Sequence, residues 1–373
     1  MSFVSDKNLL ANRTVLILLI SIALIFSMGI VMVFNTTAAE VIDRTLQQST
    51  HQACLKQIFF ASIALLGALL VWFIGYENML KLSGPLLCLG TLLLLLVFIP
   101  GIGQQVNGAN RWIRIFGYSL QPSEFAKILI PLYYIHFVTT AKKIDFFTFF
   151  KLIALLGVPI GLILLEPDNG TVAILLVTLL VLFILTEIKW SYWLIPFIAF
   201  VFCGTLIASQ MKHVPERIHI YLNPELDLKG KGHQPHQAKI AAGSGGFFGR
   251  GIGESMQKLD YLPESRNDYI AAIYAEECGF IGILGLIILY MILGGIGFYL
   301  ATLVKEVRGY YLMSITTFII CFQAFLNLGV VSGLLPSKGT NLPFFSQGGT
   351  SLLVNFIALS LMLNVVKKSN VKT

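Results

Sequence analysis

The sequence predicts an all-α polytopic membrane protein: about ten transmembrane helices, with one large extracytoplasmic loop between spans 7 and 8. Composition is the first ground for this. Of 373 residues, 56% are hydrophobic and only 12% charged, with a mean hydropathy of +0.80, whereas soluble domains are roughly half apolar and about a quarter charged. The second ground is that the apolar residues gather into runs near the ~20 residues that cross hydrocarbon. The third is the placement of Lys and Arg on alternate short connections.

Taken in order, the runs lie near 14–35, 56–75, 83–100, 122–141, 148–166, 169–187, 190–210, 269–301, 309–333 and 348–366. Lys7 and Arg13 precede the first, and Lys367, Lys368 and Lys372 follow the last. Lys81, Lys142, Lys143, Lys151, Lys189, Lys305 and Arg308 fall on alternate connections. An excess of basic residues marks the cytoplasmic side, so both termini are expected there and the segment 211–268 outside. That segment is itself basic, but long loops translocate largely regardless of charge. The run Thr14–Val33 is too long for the core of a cleavable signal peptide and is expected to remain as a span.

A net charge of +7 raises the question of nucleic acid, but the basic residues form no patch, and no nucleic-acid partner is expected. Cys54, Cys88, Cys203, Cys278 and Cys321 are odd in number, mostly within apolar runs, and show no CxxC or His/Cys spacing. They read as packing residues and not as a disulfide frame or zinc site.

Chemistry is then confined to a few polar segments that face outward. The segment 257–279, QKLDYLPESRNDYIAAIYAEECG, carries Asp260 and Asp268 in a loop and Glu276 and Glu277 in the helix that follows. Asp268 stands directly before an apolar helix, where capping alone would account for it; ion pairs to a neighbouring span would account for the glutamates. The segment 107–127, NGANRWIRIFGYSLQPSEFAK, carries Arg111, Arg114, Glu124 and Lys127, with Pro122 suited to a first helical turn and Glu124 and Lys127 on one helix face. It reads either as an interfacial anchor or as a binding element.

EPDNG, 166–170, reads mainly as a tight turn, with Asp168 capping the next helix. GSGGFFGRGIGES, 243–255, has the glycines of an anion cradle without a P-loop pattern, and reads as a flexible or re-entrant segment whose Phe247 and Phe248 dip into lipid. Lys239 and Arg250 beside it suit a lipid phosphate or simple anchoring. GLLPSKGTNLPFFSQGG, 333–349, places Lys338 among glycines and prolines near the outer face.

These segments, in this order, resemble the SEDS family of bacterial cell-wall proteins, typified by FtsW and RodA. NGANRWI…QPSEFAK, EPDNGT, GSGGFFGRGIGESMQKLDYLPESRNDYI and LPSKGTNLPFFSQGGTSLL carry the resemblance from about residue 100 onward. It implies a single SEDS-type transmembrane domain over 1–373, a ten-span enzyme of the bacterial inner membrane that polymerises lipid II into glycan strands. The implied partners are a class B penicillin-binding protein, which cross-links the strands, and other divisome proteins.

The family's essential acid falls on Asp268, implied as general base, and its second loop carboxylate on Asp260. The Lys in Pro336-Ser337-Lys338-Gly339 resembles division-type members more than elongation-type ones. Where the family commonly has Tyr before Gly-Gly, this chain has Gln347, which keeps hydrogen bonding and loses stacking; Thr350 stands for a common Ser. Departure of a pyrophosphate calls for cations, which Lys338, Arg111, Lys239 or a divalent cation (Mg or Mn) would supply. Lys127 and Gln347 join the expected substrate contacts, with Glu124, Asp168, Glu276 and Glu277 in support. The rival from another class is a lipid II flippase, but the charges crowd at outer helix ends and no internal repeat is visible, against what transporters show.

Overall fold

The computed structural model describes residues 2–44, 51–106, 109–115, 118–198, 202, 221, 232–258, 266–336 and 339–371. Ten helices are named here among them: α1 Ser2–Arg44, α2 Gln52–Ile74, α3 Tyr76–Leu96, α4 Pro122–Thr140, α5 Phe146–Leu165, α6 Asn169–Leu185, α7 His233–Ser244, α8 Ile270–Leu303, α9 Val307–Val331 and α10 Gly349–Val371. Seven are long and apolar enough to cross a membrane: α1, α2, α3, α5, α8, α9 and α10. The chain is a multi-pass membrane protein.

Helices α4 and α6 occupy the windows expected at 122–141 and 169–187, α6 being a shorter apolar helix of 17 residues. The window 190–210 is helical at 190–198 and otherwise lies largely outside the described residues. The third span starts at Tyr76, earlier than the expected 83, and Glu77 in its first turn pairs with Lys368 at 3.2 Å.

The bundle is centred on α9 and α10. Their spans are 67% and 72% buried, against 22–33% for the other five, which turn apolar faces such as Leu66, Leu70 and Phe73 outward. Helix α2 lies along α10, and polar side chains stitch them: Ser360 Oγ donates to Ala68 O at 2.6 Å and Asn364 Nδ2 to Trp72 O at 3.1 Å.

Two features depart from the expected all-helical layout. Three short strands form an antiparallel sheet, β1 Gly103–Val106, β2 Ala109–Ile115 and β3 Tyr118–Leu120, in that order. Val106 pairs with Ala109, so the Asn107-Gly108 dipeptide of the sequence lies between them, a strong two-residue hairpin signal. The long segment between α6 and α8 also contains a helix: α7 packs on α8 and α9 and buries Ala238 and Ala241 completely.

The glycine-rich segment after α7 is not loose; it is built into a break in α8. Gly279 has φ +67°, and there the helix interrupts its own hydrogen bonds. The carbonyls of Glu276 and Glu277 accept instead from Arg250 N at 3.0 Å and Gly251 N at 3.1 Å. The amides of Phe280 and Ile281 donate to Gly246 O at 3.0 Å and Phe247 O at 3.2 Å. Only glycine permits the approach, since a Cβ on Gly279 would fall 2.2 Å from Gly249 N. Non-helical backbone within a membrane protein survives where its polar groups are met in this way.

The glutamates beside the break fasten the same loop. Glu277 accepts from Lys258 Nζ at 2.9 Å, and Asn35 of α1 bonds both partners. Glu276 accepts from Ser255 Oγ at 2.6 Å and from the amides of Met256 and Gln257 at 3.2 and 3.3 Å, with Arg250 Nη1 at 3.4 Å. The cationic partners, Arg250 and Lys258, therefore come from the loop before α8, where sequence reasoning expected a neighbouring span.

Removing one member of a buried pair strands the other charge, at a cost of roughly 3–5 kcal/mol. Lys258→Met is expected to lower the thermal midpoint of the detergent-solubilised protein sharply, and Lys258→Met with Glu277→Leu to recover much of it. A double variant no better than the single one would show that the pair is not what holds 253–258 to α8.

Candidate functional site

Four segments converge at one end of the bundle: the start of α8, the strap of residues 334–348 between α9 and α10, the α5–α6 turn, and the sheet with the start of α4. The strap has little secondary structure of its own, so its polar groups find partners on neighbouring helices. Thr340 O accepts from Asn327 Nδ2 at 2.7 Å, Asn341 O from Gln323 Nε2 at 2.8 Å, and Pro343 O from the Tyr290 hydroxyl at 2.5 Å.

The backbone leading into α8 is tied to the same framework. Arg266 O accepts from Gln347 N at 3.1 Å, Asn267 O from Ser346 Oγ at 2.7 Å, and Asp268 O from Asn327 Nδ2 at 2.8 Å. Asp268 is half-buried, and its carboxylate lies over Gly339, where a Cβ would fall 2.8 Å from Asp268 Oδ2. The cap of α8 is Tyr269, one residue later than expected, so Asp268 precedes the cap position.

On the other side of Gly339 and Thr340 stands the α5–α6 turn. A Cβ on Gly170 would meet the Thr340 methyl at 3.2 Å and Gly339 O at 3.7 Å. Asp168 caps α6, accepting from Thr171 N at 3.3 Å as expected, and its Oδ2 also takes bonds from Thr171 Oγ1 at 2.9 Å, Ser123 Oγ at 3.1 Å and Gln121 Nε2 at 3.2 Å. Arg111 reaches this turn from β2 and donates from Nε to Glu166 O at 3.1 Å and from Nη2 to Pro167 O at 2.6 Å.

Lys127 is 3% exposed, and its ammonium is taken by Glu124 at 2.8 Å and Gln323 Oε1 at 3.0 Å. In this arrangement it steadies α4 against α9 and offers no surface to a ligand. Lys239 is exposed and crosses the end of α9, its Cε only 2.0 Å from where a Cβ on Gly333 would stand. Gln347 is half-buried at the end of the strap. Asp260 and Lys338 lie outside the described residues, though Gly339, the residue after Lys338, is against Asp268.

Sequence reasoning missed Gln323 and Asn327, the amides that hold strap and Asp268 together. Their signal was present, since a polar side chain deep in an apolar run is expensive and so has a task. Glu166 was missed as well. It is 1% exposed, and neither carboxyl oxygen has a hydrogen-bond partner. Burial and the nearby Asp168 push its pKa from 4.5 up to about 8, against the opposing pull of Arg111.

Residues 15–371 match the profile FTSW_RODA_SPOVE, described as cell cycle protein. The chain belongs to this family. It is similar to the "Probable peptidoglycan glycosyltransferase FtsW" of Trichlorobacter lovleyi, 36% identical over 364 residues that cover 94% of this chain and 92% of that one. The protein of that name from Saccharophagus degradans is 35% identical, over 92% and 90%. Among solved structures, a chain of a peptidoglycan synthase complex described for its coordination of polymerization and crosslinking superposes with a TM-score of 0.76 at 26% identity, covering 94% and 97%. The rod shape determining protein RodA of Thermus thermophilus gives 0.68 at 26% identity, covering 94% and 96%. The FtsW/RodA/SpoVE fold thus extends over the whole bundle.

The described residues do not by themselves make a site for a divalent cation. Among the described residues no three His, Cys, Asp or Glu side chains stand close enough to share one, and Asp168 spends its oxygens on Gln121, Ser123 and Thr171. No chemical step is therefore assigned to a metal.

Asn327 joins the strap to α8 through two carbonyls. Asn327→Leu leaves both unpaired, at about 1–3 kcal/mol each. Hydrogen exchange of the amides in 340–346 should quicken relative to α5, with a lower thermal midpoint. Unchanged exchange there would show that other contacts hold the strap.

Proposed function

We propose that this FtsW/RodA/SpoVE family member is a peptidoglycan glycosyltransferase of the bacterial inner membrane, polymerising lipid II into glycan strands during cell division. The observation that carries the reading is the placement of the Asp268 carboxylate over Gly339, the residue after Lys338 on the strap, with the turn that holds Arg111 packed against the same stretch of strap. The names of the relatives support it, and FtsW relatives at 34–37% identity against RodA at 26% favour the division branch over elongation.

Strand growth joins a sugar hydroxyl to an anomeric carbon whose bond to a lipid-linked pyrophosphate breaks. A hydroxyl is a weak nucleophile at neutral pH, so a carboxylate must take its proton as the new C–O bond forms. Asp268 is that base. The electron pair of the broken bond leaves on the pyrophosphate, whose charge Arg111 and Lys338 counter, with Lys239 at the rim. Attack from the face opposite the leaving group inverts the anomeric centre.

Asp260 and Gln347 contribute hydrogen bonds to the substrate. Glu124, Asp168, Glu276 and Glu277 hold the framework. Donor and acceptor both carry lipid, which suits a catalyst built of spanning helices. Both termini face the cytoplasm and the site faces outward, in keeping with the basic connections. The partner is a class B penicillin-binding protein, a reading supported by the synthase complex among the structural neighbours.

With purified protein, its partner and lipid II, Asp268→Asn should lower glycan formation by on the order of 10²–10⁴-fold, the usual worth of a general base. Thermal midpoint and partner binding should stay put. Gly339→Ala should displace the carboxylate and cost up to about 10²-fold, as misplacements of about 1 Å do. An Asp268→Asn protein with full activity would remove the base, and lipid II crossing vesicles without any glycan product would favour a flippase.

A further inference from the structure

Arg111 stands next to an acid and does not form an ion pair with it. Its Nε and Nη2 donate to the carbonyl oxygens of Glu166 and Pro167. The Glu166 carboxyl, on the same turn, is 1% exposed with neither oxygen hydrogen-bonded. Asp168, two residues on, has bonds on both oxygens from three side chains and one amide. One turn therefore contains a fully solvated-by-protein carboxylate and an entirely unsolvated carboxyl.

An ionised carboxylate buried without donors is among the most costly arrangements in a protein, and such a group keeps its proton instead. We propose that Glu166 is a neutral-acid positioning residue: held protonated beneath the turn, it lets carbonyl dipoles anchor Arg111 while the guanidinium keeps its full positive charge for a phosphate of the substrate. The inference rests on the reading of Arg111 as a contact to the leaving pyrophosphate. Were Glu166 ionised, the two charges would pair in a low-dielectric setting, and the arginine would be neutralised where the anion must bind.

The charged groups around Glu166 agree with this. Asp168 opposes its ionisation and Arg111 favours it, burial being the largest influence. On α4, packed against α6, Glu124 and Lys127 are spent on each other. Lys81 of α3 and Arg308 of α9 lie at the opposite end of these helices, around His136. With the carboxyl at about 8 in the folded chain and 4.5 as its ordinary value, the sign of the linkage follows. Below 4.5 the group is protonated folded or unfolded. As pH rises from 4.5 to about 8 the unfolded chain releases a proton that the folded chain retains, so stability declines across that window and then levels.

The test is a titration of wild type and Glu166→Gln from about pH 5 to about pH 9, with two readouts. In detergent, the thermal midpoint of Glu166→Gln should gain on wild type as pH rises to about 8 and hold its lead above that; a difference that does not vary with pH overturns the neutral acid. If glutamine at this position does not fold, Glu166→Met serves the same comparison. In polymerisation of lipid II with the partner present, wild type should show a KM that climbs severalfold above pH 8 with little change in kcat, and the isosteric neutral variant should not. Arg111→Ala should show a raised KM at every pH and no further climb. A climb that persists in Glu166→Gln overturns the link to Arg111. A protein that makes no glycan at any pH fails the proposed function, while the midpoint titration still judges the proton on its own.

Discussion

The structure depends on one requirement, that irregular backbone inside a membrane protein have every polar group met by protein. The strap between α9 and α10 is the place where it is hardest to meet. Its residues cannot bond in helical fashion, so donors arrive from elsewhere: Asn327 and Gln323 from α9, Tyr290 from α8, and Gln57 of α2 to Ser346 O at 3.5 Å. Each donor is a polar side chain in an otherwise apolar helix, tolerated because its alternative, an orphaned carbonyl in a low-dielectric setting, costs about 1–3 kcal/mol. The same logic governs the break in α8, where the glycine-rich loop supplies two donors and two acceptors that the interrupted helix lacks.

This requirement also sorts the acidic residues. Glu276 and Glu277 are 1% exposed, and each is surrounded by donors, so they act as fasteners for the loop before α8. Asp168 is bonded to capacity and fixes the turn against the start of α4. Glu124 neutralises Lys127. Asp268 is half-buried, its backbone carbonyl accepts from Asn327, and its side chain lies over Gly339 at the junction of three segments. A group meant to accept a proton must keep contact with the place where the proton is released. Burial with a full set of donors would lower its basicity, and burial with none would leave it neutral like Glu166.

Much of this was legible in the sequence, and the remainder fails for identifiable reasons. The spans announce themselves because hydrocarbon demands length and apolarity, and seven of the ten windows coincide with helices that satisfy both. The hairpin at 103–115 was missed although Asn107-Gly108 is a standing signal for one, because the neighbouring Trp and Arg drew the reading toward a membrane anchor. The cationic partners of Glu276 and Glu277 were sought on spans and lie on the loop, since nothing local in GRGIGESMQK says that it folds back onto a helical break. Lys127 carried a charge that invited a ligand, yet its neighbour on α9, 196 positions away, is invisible to any reading by local spacing. Gln323 and Asn327 were passed over because a window average hides two amides among apolar residues.

Such a site must keep its geometry when lipid-linked reactants pull on it. Three consecutive carbonyls, those of Arg266, Asn267 and Asp268, are bound to the strap or to α9. The strap is in turn bound to α8, α9 and α2, and α8 and the loop before it lock together through the Gly249–Gly279 contact. Each tie is a single hydrogen bond, individually worth about 1 kcal/mol, but they close rings that no one segment can leave without breaking several at once. The acid at the head of α8 is therefore positioned by the whole ring. Its neighbours in the sequence can remain polar and irregular, as substrate binding requires, without giving up the placement on which proton transfer depends.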